Sequence, residues 1–448
     1  MNIFKRKIYS KMLDWKLQTK GSRALLIEGP RRVGKSTISL EFAKNEYEDF
    51  LLIDFTKASK DIIELFENFH DIQLFFLSLQ ALTGKSLPQR RSVIIFDEIQ
   101  FCPKARQAIK HLVADGRYDY IETGSLISIR KNTKDILIPS EERRLEMNPM
   151  DFEEFLWAID KKAMYDTIRI SYDNAISPGD AVVRSIMREF RLYMLVGGMP
   201  QSVSKYVEGS DFSEIDMVKR DIINLYLEDF RKLDEKGRAS SIFSSIPSEL
   251  SRNTVQYRVG NVLESGRPSR LGEIFSDLAE SKTVNFSFHA NDPNVGLAIH
   301  ADLDRFRMYI CDTGLFVTLA YRDKEFTDNV IYQKLLSDKL ATDLGYVYEN
   351  VVAQLLKAAG HNLYYYTFRI EDADSSKFKS YEIDFLISEK NKICPIEVKS
   401  SGYNTFKSLE KFSSKYSSRI GTPYILHTKG MKKFGIIQSL PVYMAGLL

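Results

Sequence analysis

An α/β fold that opens on a parallel sheet is predicted by two features of the first third of the chain. The apolar runs ALLIEG, FLLIDF, SVIIFDE and YDYIETG each precede a segment whose apolar residues recur at helical spacing. That is the pattern of strands buried on both faces and joined by crossover helices. Between the first of these runs and its helix lies Gly29-Pro-Arg-Arg-Val-Gly-Lys-Ser36, a glycine-rich turn ending in a lysine and a hydroxyl.

That turn has the form GxxxxGK[ST] in the context it requires, with a strand before it and a helix after it. Gly29 and Gly34 let the backbone curl so that successive N–H groups point inward, while the following helix adds the positive end of its dipole. Gly29, Pro30, Arg31, Arg32, Val33, Gly34, Lys35, Ser36 and Thr37 are therefore expected to cradle the phosphates of ATP. Lys35 reaches the β and γ oxygens, and the Ser36 hydroxyl is a ligand of Mg²⁺, a hard cation that takes oxygen donors. A second run, Val93-Ile94-Ile95-Phe96-Asp97-Glu98, is an apolar strand ending in two carboxylates. Asp97 is placed to hold the Mg²⁺ shell and Glu98 to orient the attacking water.

Two further elements leave two readings each. The fourth strand ends in Glu122-Thr123-Gly124-Ser125. Thr123 either touches the γ-phosphate or the attacking water, or belongs to a plain strand-to-helix turn. Arg143 and Arg144, which follow two glutamates, are either an arginine finger offered to a neighbouring subunit of a homo-oligomer or part of a solvated charged face.

Composition sets outer bounds. At 448 residues the chain exceeds what one core usually organises, so several domains are expected. With 44% hydrophobic and 27% charged residues it falls in the range of soluble globular proteins, and no apolar run is long enough to cross a bilayer. No membrane partner and a cytoplasmic location are the corresponding expectations. Three cysteines without paired spacing suggest neither a disulfide framework nor a zinc site. A net charge of +3 is too small to argue a nucleic-acid partner by itself.

The pattern divides the chain into residues 1–165, a nucleotide-binding core; 166–232, a helical lid in which Gly197-Gly198-Met199-Pro200 marks a turn; 233–325, whose helical segments and two strands around a polar loop fit a winged-helix unit; 326–345, a charged linker; and 346–448, a second α/β unit. In the winged-helix reading Arg252, Arg258, Arg267 and Arg270 meet DNA, the alternative being a protein-interaction module.

In the last unit Glu349 opens on a helix, Asp384 lies on one strand, and Glu397 and Lys399 lie on the next. A turn centred on Lys390-Asn391 sets Asp384 opposite Glu397 and Glu382 opposite Lys399, all on one face, with Ile383, Phe385, Ile396 and Val398 on the other. Opposed carboxylates repel, and a second Mg²⁺ or Mn²⁺ held by Glu349, Asp384 and Glu397 would offset this, with Lys399 positioning a water for attack on phosphorus. The alternative is a plain Glu382–Lys399 ion pair beside surface acids. From Tyr346 onward there are 14 Lys and Arg against 9 Asp and Glu, as a unit that meets the phosphates of DNA or RNA would want. Tyr364, Tyr365 and Tyr366 read as core residues of a strand rather than a stacking platform.

Two resemblances add to these readings. GPRRVGKST, IIFDEIQ, TGSL, RRLEMNPMDFEEFL, GGMP and FRMYICDTGL look like a prokaryotic family of AAA-type P-loop ATPases, often described simply as ATP-binding proteins, whose second half is a domain of unknown function. The resemblance implies an AAA-type parallel sheet with helices on both faces. The family commonly has a longer small-residue run after the fourth-strand serine, whereas here Leu126 follows Ser125. Glu349, Asp384 and Glu397-Val-Lys399 resemble the PD-(D/E)XK nuclease superfamily, which implies a metal-dependent nuclease-like fold at the C-terminus. Two functional expectations follow: an ATPase whose nucleotide state controls a nuclease-like unit acting on DNA or RNA, or an ATP-dependent switch or scaffold that binds a protein or nucleic-acid partner without cleaving.

Overall fold

The computed structural model describes residues 3–124, 139–252, 255–263, 271–322, 336, 344–371, 378–400 and 406–448. Ser125 and Leu126, Arg267 and Arg270, and nearly all of the expected linker 326–345 lie outside the described residues. The chain divides into two compact units, residues 1–148 with 280–282, and residues 149–279 with 283–448.

In the first unit, helix α1 (Ile8–Thr19) leads into strand β1 (Ala24–Glu28), α2 (Lys35–Glu46), β2 (Asp49–Asp54), α3 (Lys60–Glu67), α4 (Ile72–Thr83), β3 (Ser92–Asp97), α5 (Pro103–Asp115), β4 (Asp119–Thr123) and β5 (Glu142–Glu146). All five strands are parallel, in the order β2-β3-β4-β1-β5. The four apolar runs of the sequence form β1 to β4, and ERRLE supplies the fifth strand. Alternate residues of one strand enter opposite layers. Leu25, Ile27, Val93, Ile95 and Ile121 pack with Trp15 of α1 and Phe42 of α2, whereas Leu26, Ile94, Phe96 and Tyr120 pack with Phe66, Phe75 and Leu112 of α3, α4 and α5. Each such side chain, fully removed from water, contributes about 1.5–3 kcal/mol before chain entropy is counted. The consequence for the site is positional: β4 lies between β1 and β3, so the ends of all three meet at one edge.

The second unit begins with helices α6 (Phe152–Ala158), α7 (Lys162–Asp173), α8 (Asp180–Val196), α9 (Pro200–Val207), α10 (Phe212–Leu233), α11 (Arg238–Ser251) and α12 (Gly272–Glu280). A capping box between Asp151 and Glu154 starts α6, and Pro200 starts α9, where its missing N–H costs nothing. Then follow β6 (Val284–Ala290), β7 (Ala301–Ile310), α13 (Thr313–Ala320), α14 (Gly345–Ala358), β8 (Leu363–Glu371), β9 (Phe378–Glu389), β10 (Lys392–Val398), α15 (Lys407–Lys415), β11 (Tyr424–His427), β12 (Lys432–Phe434) and β13 (Ile437–Pro441). The strands form one mixed sheet in the order β12-β13-β11-β10-β9-β8-β6-β7.

This sheet runs across the expected division at 325. The two strands assigned to a winged-helix unit, β6 and β7, do pair as a hairpin, but β6 also runs parallel to β8 and so extends the C-terminal sheet. The physical reason is an edge: β8 would otherwise present an unpaired row of backbone groups, and β6 satisfies it. Arg252 and Arg258 accordingly do not sit on a free recognition helix. Both meet Glu249, Arg252 through its guanidinium at 2.6 Å and Arg258 through its backbone N–H at 3.3 Å.

GGMP and CDTGL, far apart in sequence, form a buried polar knot in this unit. Asp312 caps α13 by accepting from Leu315 N, and its other oxygen accepts from Gly198 N. Gln354 and Asn350 of α14 bond the same turn through Thr313. Gly314 lies so close to Gly197 that a Cβ on Gly314 would stand 2.6 Å from the Gly197 Cα. Only residues without side chains allow that approach.

Candidate functional site: the P-loop edge and the C-terminal acid cluster

At the P-loop, the structure brings together most of the residues singled out in the first unit. Gly29 has φ 154° and a Cβ there would lie 2.2 Å from the Met147 carbonyl oxygen; Gly34 has φ 100°. No side chain fits at the first position and few tolerate the second. Lys35 opens α2 and folds back, its Nζ donating to the carbonyls of Gly29 at 3.0 Å and Pro30 at 2.9 Å. Burial pulls its ammonium down to about 8 against the opposing pull of Glu98 and Asp97. Ser36 Oγ donates to Asp97 Oδ1 at 2.7 Å, and Thr123 Oγ1 donates to the same oxygen. The ends of α2, β3 and β4 are thus tied through one carboxylate.

Glu98 follows β3 in the left-handed region, with φ 55°. For a glutamate this conformation is sparsely populated and costs on the order of 1 kcal/mol or more. Its carboxylate accepts from Gln100 Nε2, and its N–H lies 3.4 Å from Thr123 Oγ1. Arg31, Arg32, Val33 and Thr37 complete the loop and the first turn of α2, Arg32 with φ 68°. The set fits the group it is expected to hold. Ser36 and Asp97 present two oxygen donors to a hard cation, and the loop supplies backbone N–H groups and one cation for phosphate.

Arg143 and Arg144 lie on the edge strand β5, beside β1. Arg143 Nη1 donates to Gln18 at 2.7 Å; Arg144 is half exposed and stands 3.5 Å from Glu28. Two residues of this region are functional candidates that the sequence reading gives no role. Arg6, ahead of α1, is buried and donates to the carbonyls of Val33, in the loop, and Asn148. Gln100 holds Glu98. The signal for Gln100 is its place two residues after Glu98; nothing in the sequence signals Arg6.

In the second unit, β9 and β10 pair in the predicted register, from Lys392 opposite Glu389 to Ile396 opposite Phe385. Beyond that the expected pairs change. Asp384 Oδ2 accepts from Val398 N at 2.7 Å, which draws its side chain onto the neighbouring backbone. Glu382 does not meet Lys399: Arg307 of β7 donates to Glu382, and Lys399 pairs with Glu397 at 2.5 Å. A bulge between β8 and β9 sets Asp384 and Phe385 together against Tyr365. Side-chain alternation breaks there, so Ile383 joins Leu409 and Phe412 of α15 while Phe385 turns to Tyr309 on the other face. The expectation that Ile383 and Phe385 share a face is thereby corrected. Tyr364, Tyr365 and Tyr366 are buried strand residues, as their sequence suggests.

Arg307 is the residue of the second unit that the hairpin pattern does not single out. It is 4% exposed, lies 3.8 Å from Glu349 and 4.8 Å from the centre of the Tyr365 ring. Glu349 is raised by burial, with Arg307 opposing and Glu382 adding; Asp384 is raised well above its ordinary range by burial and by Glu349, Glu382 and Glu397. Burial also raises Glu397, against Lys399. A second cation site is not shown at these residues. Among the described residues no group of three His, Cys, Asp or Glu side chains is spaced to hold one. Arg307 and Lys399 offset part of the charge of the four acids Glu349, Glu382, Asp384 and Glu397.

Comparison with known proteins bears on both halves. Residues 21–156 match a family described as an AAA domain. Residues 187–325 and 344–444 match two families each described as a domain of unknown function. No curated protein matches the sequence. Among solved structures, a Walker-type ATPase of Pyrococcus abyssi aligns at 15% identity over 71% of this chain and 96% of its own, with a TM-score of 0.42. The RuvB Holliday junction branch migration motor of Thermotoga maritima aligns at 14% identity over 63% of this chain and 89% of its own, TM-score 0.29. A signal transduction ATPase with numerous domains from Pyrococcus horikoshii, carrying a tetratricopeptide repeat sensor, aligns at 13% over 80% of this chain and 46% of its own, TM-score 0.26. Among the described residues no helix is long and apolar enough to cross a membrane. The parallel sheet, the P-loop on it and the matching family together mark residues 21–156 as an AAA-type P-loop ATPase domain, a kind that suggests ATP binding and hydrolysis and implies ATP, usually with Mg²⁺.

Proposed function

We propose that this chain is an ATP-driven switch in which MgATP at the P-loop controls what the second unit binds. The ATP site is supported above all by the convergence of Ser36 and Thr123 on one oxygen of Asp97, beside Lys35 and Glu98. Gly29 to Thr37 cradle the phosphates. Lys35 leaves its loop carbonyls for the β and γ oxygens, Ser36 and Asp97 hold the nucleotide's Mg²⁺, Glu98 orients the attacking water, and Thr123 sets the Asp97 end of the site. The metal's part is to neutralise charge on the phosphates. Arg143 or Arg144, on an edge strand, would meet the nucleotide of a second copy if the chain assembles.

Because Lys35 titrates near 8 when free and phosphate raises it, ATP affinity is fully present below that pH. It should fall above it, by up to about tenfold per pH unit, with proton uptake on binding. Calorimetry in two buffers of different ionisation enthalpy reads both effects; pH-independent affinity between about 7 and 10 would overturn the assignment of Lys35.

In the second unit the order helix, three strands, helix, strand from α14 to β11 supports the nuclease-like reading of the fold. Arg307 favours binding without cleavage, since its guanidinium beside Glu349 and against Glu382 supplies part of the positive charge those acids call for. Incubation with Mg²⁺ or Mn²⁺ and DNA or RNA should show no cleavage above that of Asp384→Ala, while hydrogen exchange across residues 344–448 should change on adding a non-hydrolysable ATP analogue. Metal-dependent cleavage lost in Asp384→Ala would overturn the non-cleaving reading. Unchanged exchange would overturn the switch.

A further inference from the structure

A cavity of about 970 Å³ in the second unit lies between the start of α8 and the turn joining β11 to β12. Its size is at the upper end of small-molecule sites, roughly 300–1,000 Å³. Arg184 and Arg191 line it from the helix, and Lys429 and Lys432 from the turn. Asp180 is the one acid in the lining, and it sits in the first turn of α8, where the helix dipole already offsets its charge. The lining therefore presents four cations to one carboxylate. Three apolar side chains, Val183, Met187 and Met431, complete a wall that water alone would not favour.

The turn is built to stay in place. Lys429 N donates to His427 Nδ1 at 2.8 Å, and the ring is buried and also bonded to Ser439. Burial, with Lys432 and Lys429 adding, holds that imidazole down at about 4, so it remains neutral and accepts the bond. Gly430 comes within van der Waals reach of α8: a Cβ there would stand 3.0 Å from Ser177 Oγ and 3.7 Å from Val183 Cγ2.

We infer that this cavity binds a nucleotide unit, its phosphate against the arginine and lysine side chains and its base against Val183, Met187 and Met431. Inorganic phosphate alone would leave the apolar wall unused, and a purely apolar ligand would gain nothing from the positive charge of the lining. A free nucleoside monophosphate and a nucleotide within a single strand share this chemistry. The cavity belongs to the second unit, and its ligand is assigned independently of ATP at the P-loop.

The test uses the full chain with Mg²⁺ and a saturating non-hydrolysable ATP analogue, whose own binding is measured in the same titration so that a failure at either site is recognised as such. UMP is titrated by calorimetry, and a fluorescein-labelled twelve-nucleotide single-stranded DNA by anisotropy. Arg184→Glu with Lys429→Glu, both on exposed side chains, should weaken whichever probe binds by about tenfold or more. Lys44→Glu with Lys110→Glu, an equal charge change on the first unit, should weaken it less than about twofold. Arg184→Ala with Lys429→Ala serves as a milder pair if the reversal disturbs folding, with circular dichroism as the check. UMP binding with this pattern assigns a free nucleotide; binding of the strand alone with this pattern assigns a nucleotide within a chain. Binding of neither probe, or equal loss in the pocket and control pairs, would overturn the inference.

Discussion

Glu98→Gln is expected to lower the turnover of ATP by about 10²–10⁴-fold while leaving ATP affinity unchanged or tighter. The substitution keeps the shape of the side chain and its contact with Gln100, but removes the carboxylate that orients and polarises water. Holding at the loop runs through Lys35 and Ser36, whereas the Glu98 carboxylate is engaged by Gln100. Losing its negative charge beside the phosphates should if anything help binding. The separation is the informative part: kcat falls and Kd does not rise. Steady-state phosphate release together with calorimetric titration of ATP measures both. A variant that hydrolyses at the wild-type rate would remove Glu98 from the mechanism, and a large rise in Kd would show that it holds nucleotide instead.

Gly198→Ala should be the most damaging single methyl in the second unit. A Cβ at this position would stand 2.0 Å from the Met150 carbonyl oxygen and 2.7 Å from Met150 N. These are backbone atoms, so no rotamer change relieves the clash. Separation of the two segments would break the bond from Met150 N to Gly198 O at 2.8 Å and the bond from Gly198 N to Asp312. Asp312 is fully buried, raised by burial against the donors that hold it, and a lost donor leaves it costlier still. The sum is expected to destabilise the unit by about 3 kcal/mol or more. Gly260→Ala, at a site with nothing within 4 Å among the described residues and no positive φ, is the control and should change little. Denaturant melts of the two variants decide the matter; equal midpoints would mean that the glycine pair at 197–198 is not a packing requirement.

The first unit is the more legible one, for a reason that lies in its strands. A parallel sheet buried on both faces needs continuous apolar runs, and the P-loop needs glycines and a lysine at fixed offsets, so both leave marks in a single sequence. Those marks name Lys35, Ser36, Asp97, Glu98 and Thr123, and the fold brings them to one edge. They carry no sign of the left-handed backbone of Glu98 or of the reach of Arg6 across 27 residues to Val33. The β9–β10 register is also legible, because the turn at Lys390-Asn391 fixes it. Two long-range facts then change its meaning. Arg307 arrives from a strand 75 residues before Glu382, and a bulge against β8 redirects Asp384 and Phe385. Neither follows from alternation within the hairpin. The same limit explains the winged-helix assignment. A hairpin looks alike in sequence whether it stands alone or completes the edge of another sheet.

A charged residue inside an apolar strand is the available signal for Arg307: the run RFRMYI carries two arginines where β7 becomes buried. A cation that deep has to answer an acid. The acids it answers are Glu349 and Glu382, which ties β7 to α14 and β9 through charge as well as through the sheet.

One cation site, formed with the nucleotide at Ser36 and Asp97, is proposed to serve the whole chain. A crystal soaked with Mn²⁺ and a non-hydrolysable ATP analogue tests this through anomalous diffraction. The expected result is a manganese peak between Ser36 Oγ, Asp97 and the phosphates, and none among Glu349, Asp384 and Glu397, with Arg307 still against Glu382. Manganese among those three acids, or its absence from Ser36 and Asp97 with nucleotide bound, would refute the single-site proposal.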